Sequence, residues 1–244
     1  MGSQNIYDNE VFFEGYRKIR ENPLSANEME EKPALYSLCP DLEGKAVLDL
    51  GCGCGEHCAE YQRRGASKII GVDISEKMLS VAKAEHPEIS FIRGDMSDLS
   101  FIDGRFDAVF SSLAVHYIED FPALVRQIYG MLNPGGYFIF SQENPLTTAR
   151  IGGHEWARDE NGNVLYMKLS DYGRPGKRVT TWIIDGVIKY HRTFSDVVNA
   201  LADAGFVIEK MLEPVPTEEH IRLDPKKEKD FHKPNFLLVK AKKY

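Results

Sequence analysis

Val47-Leu48-Asp49-Leu50-Gly51-Cys52-Gly53-Cys54-Gly55 ends an apolar run in glycines at alternate positions. Glycines in such a turn allow backbone torsions and a close ligand approach that a Cβ would block. A helix opening directly after it would aim its first amides at the same ligand. Asp73 lies twenty-two residues beyond Gly51, at the end of the next apolar run, where a carboxylate can accept hydrogen bonds from ribose hydroxyls. Gly94-Asp95-Met96 follows a third run and sets an acid that can accept from an adenine amine beside an apolar side chain. The glycine turn with the acid at the next strand end points to an adenosine-containing ligand. Taken singly, Asp73 could cap a helix, Met78 fill a core and Asp95 serve a turn. Their recurrence at successive strand ends favours the binding reading.

Three of the four cysteines, Cys52, Cys54 and Cys58, crowd this turn beside His57. Their C-x-C-x3-C spacing matches no common structural zinc pattern, so small side chains at a tight turn explain them and no metal is expected. The N-terminus lacks the basic start and apolar core of an export signal, and Ile6 stands where a myristoylation signal needs Ser or Thr. Reduced thiols in a cytoplasmic protein are the expectation.

The elements that must position these residues alternate in type. Strands are expected at Ala46–Leu50, Lys68–Asp73, Ile89–Ile92, Phe106–Ser111 and Tyr137–Ser141. Between them come a helix through Arg64, one from Glu76 to about Ala84 capped by Ser75, and one opened by Pro122 and reaching Leu132. Strands separated by helices imply parallel pairing with right-handed crossovers. The rhythm then breaks: Leu165–Leu169, Arg178–Ile184 and Val187–Thr193 read as strands, the last two joined by an Asp185-Gly186 hairpin turn. A helix over Ser195–Ala204 and strands at Phe206–Leu212 and Asn235–Ala241 close the chain, with nothing helical needed between those two strands, hence an antiparallel pair. The first forty residues, with Tyr7, Phe12, Phe13 and Tyr16, read as one or two short helices ending before Pro33.

These residues, in this order, resemble the class I S-adenosylmethionine-dependent methyltransferases, most of all their bacterial small-molecule branch of the type 11 kind. The resemblance covers Lys45 to about Glu143 closely, and the final antiparallel pair also fits. It implies an α/β fold: a doubly wound, seven-stranded, mostly parallel Rossmann-like sheet with an antiparallel last strand and a β-rich cap insertion. Residues 1–40 would form a helical lid, 41–144 the cofactor half, 145–193 the cap, and 194–244 the completion of the sheet. S-adenosyl-L-methionine would be the cofactor and S-adenosyl-L-homocysteine the product. By position, Asp49, Gly51, Cys52 and Gly53 would form the cofactor turn, the two glycines lining the methionine part. Asp73 would hold the ribose, Ile74 and Met78 would pack on the adenine, and Asp95 and Met96 would meet its edge. Ser111 and Ser112 would lie beside the sulfonium and the methionine ammonium.

Within Leu113–Asp120, His116 is the candidate base or substrate contact, against a packing role at a helix start; Tyr117 reads as structural. The insertion carries His154, Trp156, Tyr166, Tyr172, Trp182, Tyr190 and His191 and would wall the acceptor pocket or form a subunit contact, as in a homodimer. Tyr16, His116, Trp156 and Trp182 are the candidate acceptor contacts. Two other functions share the fold: a nicotinamide-dependent oxidoreductase, whose G-x-G-x-x-G spacing is missing, and a non-catalytic protein that binds an adenosyl ligand.

Composition bounds the rest. With 244 residues, 43% hydrophobic and 27% charged, the chain can bury a real core, which excludes disorder and a disulfide scaffold. No apolar stretch reaches the roughly 18 residues of a membrane helix. A net charge of −7 disfavours nucleic acid as a partner, the resemblance implies a small-molecule methyl acceptor, and the basic run Lys226-Lys227-Glu228-Lys229 reads as a solvated loop.

Overall fold

Runs of β-branched and aromatic residues build the sheet. In the computed structural model, which describes residues 4–153 and 155–244, β1 (Ala46–Leu50) pairs in parallel with β2 (Lys68–Asp73) on one side and β4 (Phe106–Ser111) on the other. Buried on both faces, β1 is apolar almost throughout rather than alternating. β3 (Ser90–Arg93) extends the sheet beyond β2, and β5 (Leu132–Glu143) follows β4 in parallel. β11 (Phe236–Lys242) runs antiparallel to both β5 and β10 (Val207–Leu212), giving the order β10-β11-β5-β4-β1-β2-β3. The expected seven-stranded, mostly parallel sheet is therefore present.

Alternation along β5 and β11 splits the core into two layers. Phe138, Phe140, Leu237 and Val239 point to one face, against Leu124, Val125 and Ile128 of α5 (Phe121–Met131) and Val197 and Leu201 of α7 (Phe194–Asp203). Ile139, Phe236 and Leu238 point to the other, with Cys58 and Tyr61 of α3 (Glu56–Arg63), Leu79 and Ala82 of α4 (Glu76–Glu85), and Leu35. Ser75 caps α4, its Oγ accepting from Met78 N at 3.1 Å, as its position predicts.

Three local expectations need correction. The N-terminal region holds α1 (Glu10–Arg20), a π-helical turn at Asn27–Glu31 and α2 (Lys32–Ser37), and Pro33 sits inside α2 instead of ending a helix. A proline in the first helical turn lacks only an amide that would be unpaired anyway. In the insertion, β6 (Glu155–Arg158) pairs with β7 (Val164–Lys168), and β8 (Gly176–Trp182) with β9 (Ile184–His191). Trp182 faces Ile184, so the chain reverses at Ile183 and not at Asp185-Gly186. Ile183 takes φ +65°, which a β-branched residue adopts only under constraint, and it packs with Ile6, Phe12 and Val187. Packing against the N-terminal segment thus overrides turn chemistry. Finally, α8 (Glu218–Leu223) and a 3₁₀ segment at Pro225–Phe231 stand between β10 and β11, where nothing helical was expected. Thr217 caps α8 with His220 as reciprocal partner, a box without the usual Glu or Gln and therefore hard to see in sequence. α6 (Pro145–Thr148) is a single turn after β5.

Candidate functional site

A crevice of about 1100 Å³ opens at the C-terminal ends of β1, β2 and β4, where open α/β sheets bind ligands. Gly51 and Gly53 have φ of +75° and +54°. A Cβ on Gly51 would stand 2.4 Å from that of Ala114, so the first glycine is required by packing as well as torsion. A Cβ on Gly53 would meet no atom within 4 Å, which leaves the backbone there open to the crevice. Behind that wall the chain turns sharply after β4: Leu113, at φ +50°, donates its amide to both the carbonyl (3.1 Å) and Oγ (2.9 Å) of Ser141.

Asp73 is pinned by two amides. Its Oδ2 accepts from Gly53 N at 2.9 Å and its Oδ1 from Ser75 N at 2.8 Å. Burial raises its carboxyl above the ordinary value, and those amides and Ile74 pull it back. Each oxygen keeps a lone pair for a further donor. Ile74, Met78, Asp95 and Met96 line the crevice beyond it, and Asp95 Oδ1 accepts from Ser97 N at 2.9 Å.

The N-terminal segment is sewn over this edge. Asp8 accepts from Ser75 Oγ at 2.6 Å and Lys77 N at 3.1 Å, at the start of α4, while Asn5 Nδ2 donates to Asp8 at 2.7 Å. These hydrogen bonds hold Asp8 below its ordinary carboxyl value against a burial effect that raises it. Tyr7 Oη lies 3.4 Å from Tyr117 Oη, and the Tyr7 ring packs edge-on against Phe12 and Tyr16. Tyr16 meets Trp182 edge-on at 6.2 Å, and burial pushes its phenol up to about 12.

His116 is buried in the crevice wall. Its Nδ1 accepts from Glu143 N at 3.4 Å, so the neutral ring carries its proton on Nε2 and offers a donor there. Burial pulls its pKa down to about 3; the Glu143 carboxylate opposes this and Lys189 and Arg192 add to it. Glu143 is itself engaged by Lys189 Nζ at 2.6 Å.

Similarity to known proteins identifies the family of this fold and crevice. Residues 48–140 match the family model of the methyltransferase domain. An S-adenosylmethionine-dependent methyltransferase from Mesorhizobium loti is 37% identical, with a TM-score of 0.82 over 92% of this chain and 100% of its own. The chain belongs to the S-adenosylmethionine-dependent methyltransferases. Similar too are a putative member from Listeria monocytogenes, 34% identical at TM-score 0.80 over 88% and 96% of the two chains, and an uncharacterized protein of Haemophilus influenzae, 39% identical over 98% and 97%.

In this methyltransferase the crevice gathers most of the residues expected from sequence: Gly51, Cys52, Gly53, Asp73, Ile74, Met78, Asp95, Met96, Ser112, Tyr16, His116, Trp156 and Trp182 all line it. Asp49 and Ser111 stand behind the wall instead. Asp49 is 1% exposed, accepts from Cys58 Sγ at 3.4 Å and has its carboxyl pushed up to about 7 by burial. Ser111 donates to Leu50 O at 2.7 Å and so ties β4 to β1. His154 lies outside the described residues. Among those residues no three of His, Cys, Asp and Glu gather as a metal site, and no helix is long and apolar enough to cross a membrane.

Sequence reading missed several groups. Tyr117, read as structural, lines the crevice, as do Tyr7, Arg20 and Glu143. The run at Lys226–Lys229 is a 3₁₀ segment and not a loop: Lys226 and Glu228 are exposed as expected, yet Lys226, Lys227 and Lys229 also line the crevice. Glu31 is a buried partner of the wall, accepting from Ser112 Oγ and Ser141 Oγ, with burial raising its carboxyl. A π-helical turn delivers it, out of register with ordinary helical spacing, and the sequence carries no signal for that turn.

Proposed function

We propose that the protein transfers a methyl group from S-adenosyl-L-methionine to a small-molecule acceptor held between the N-terminal segment and the insertion. The observation that carries this reading is the pinned Asp73 carboxylate facing the crevice directly beside the bare backbone of Gly53. These residues fit the adenosyl group. Asp73 would accept from the ribose hydroxyls, Ile74 and Met78 would sandwich the adenine edge, and Asp95 would accept from its exocyclic amine. Arg20 pairs with Glu56 Oε2 at 2.7 Å on the first turn of α3 and brings a guanidinium to the glycine turn, suited to the methionine carboxylate.

S-adenosyl-L-methionine supplies a methyl already activated by its sulfonium, so the chain's contribution is alignment and exclusion of water. Tyr7, Tyr16, Tyr117 and Trp182 form the dry aromatic wall. His116 holds a proton at Nε2 and would orient an acceptor oxygen or nitrogen by donating to it. Acting as a base would require that proton to move first.

Calorimetry tests the reading: Asp73→Ala should weaken S-adenosyl-L-methionine binding by about 1.5–3 kcal/mol through lost hydrogen bonds to a charged group. Unchanged affinity would remove Asp73 from the site. For His116, the Gln variant, which keeps a donor, should retain most turnover while the Leu variant loses it. A loss of about 10²–10⁴ in both would restore the base role.

A further inference from the structure

At the end of β5, the crevice holds a buried cation that no carboxylate touches directly. Lys233 is 2% exposed, and its Nζ donates to Thr147 Oγ1 at 2.9 Å and Asn235 Oδ1 at 3.2 Å, both neutral oxygens. Among the described residues no carboxylate comes within 4 Å of it. Of the nearby acids, Glu143 is held by Lys189, Glu30 by Lys227 at 3.5 Å, and Asp224 Oδ1 accepts from Lys226 N, while the buried Asp230 acts on Lys233 only at longer range. Asp230 and Glu143 attract Lys233 from a distance, yet burial still lowers its pKa. Trp156 lies beside it, with Lys229 Nζ and Lys233 Nζ each 5.8 Å from the ring centroid.

A buried ammonium bonded only to neutral oxygens is costly to hold, and an anion seated on its third N–H offsets that cost. We propose that this end of the crevice is an anion subsite, and that the methyl acceptor carries a carboxylate or a phosphate monoester seated on Lys233, with its apolar body against Trp156. Lys226 and Lys229, on the same wall, add an attractive field at the mouth. This inference rests on the methyltransferase reading of the crevice and deepens it by giving the acceptor a charge.

The test uses the full chain saturated with S-adenosyl-L-homocysteine and four probes, phenylacetate, phenylacetamide, phenyl phosphate and phenol, followed by ligand-observed NMR. At least one anion should bind about tenfold or more tighter than its neutral counterpart, as expected for a hydrogen bond to a charged group. That preference should shrink between about 0.05 and 0.5 M salt. Which anion responds distinguishes the carboxylate from the phosphate source. Lys233→Met should abolish the preference and Lys233→Arg retain part of it, both still binding S-adenosyl-L-homocysteine. Equal binding of charged and neutral probes by the unaltered protein overturns the subsite without need of a variant, as does an anion preference that survives in Lys233→Met. Failure of S-adenosyl-L-homocysteine itself to bind would be a different result and would overturn the cofactor reading as well.

Discussion

Two buried residues set opposite pH responses. Asp49, with its pKa pushed from 3.8 up to about 7, keeps its proton in the fold while the unfolded chain releases it. Its contribution is complete below pH 4 and is lost as pH rises towards 7. His116 is pulled down from 6.5 to about 3, so the unfolded chain takes up a proton that the fold refuses, and stability is lost as pH falls below 6.5. His57, also near 3 through burial, adds to that second trend. Thermal midpoints measured from pH 5 to 8 should therefore show Asp49→Asn gaining most at the alkaline end and His116→Gln gaining at the acid end. Parallel curves for the two variants would refute the assignment. The placement of Asp73 and Gly53 in the crevice was legible because it follows from strand ends and from torsions only glycine adopts easily. Lys233 and Glu31 were not, since their burial is produced by chain segments some 85 to 110 residues away in sequence, at Thr147 and Ser141.

Among the elements, those with strong period and clear caps read correctly: β1, β2, β4 and α4 stand within a residue or two of expectation. Errors fell where tertiary contact decided, at the Ile183 reversal, or where a cap used an unusual partner, at Thr217 and His220. Gly51 and Gly15 offer sharp tests. Gly51→Ala combines φ +75° with a 2.4 Å approach to Ala114 and should lower stability by about 1–3 kcal/mol in denaturant titration, with cofactor affinity falling too. At Gly15 of α1, an added Cβ would stand 2.5 Å from Ile183 Cγ2. Gly15→Ala should lift α1 from the β8–β9 reversal, seen as faster amide exchange in residues 10–20, while β1 and β4 keep their protection. Unchanged exchange in α1 would mean that Ile183 simply turns aside.

Across the whole molecule, the acidic balance of the chain conceals a local reversal. The net charge is −7, yet the crevice mouth carries Lys226, Lys227 and Lys229 within one 3₁₀ segment. Net charge disfavours a nucleic-acid surface by its sum but does not reveal where the lysines gather, because that depends on how α8 and the 3₁₀ segment return the chain to β11. The N-terminal segment and the insertion, far apart in sequence, meet over the same opening, where Phe12 packs edge-on against Trp182 at 5.3 Å.

Because the backbone of α1 rests directly on Ile183, in a conformation isoleucine adopts only under constraint, the two covering pieces are geared together. Moving either piece away would break the Gly15–Ile183 contact. Cofactor and acceptor would thus share a single doorway, and whichever enters first would alter the passage left for the second.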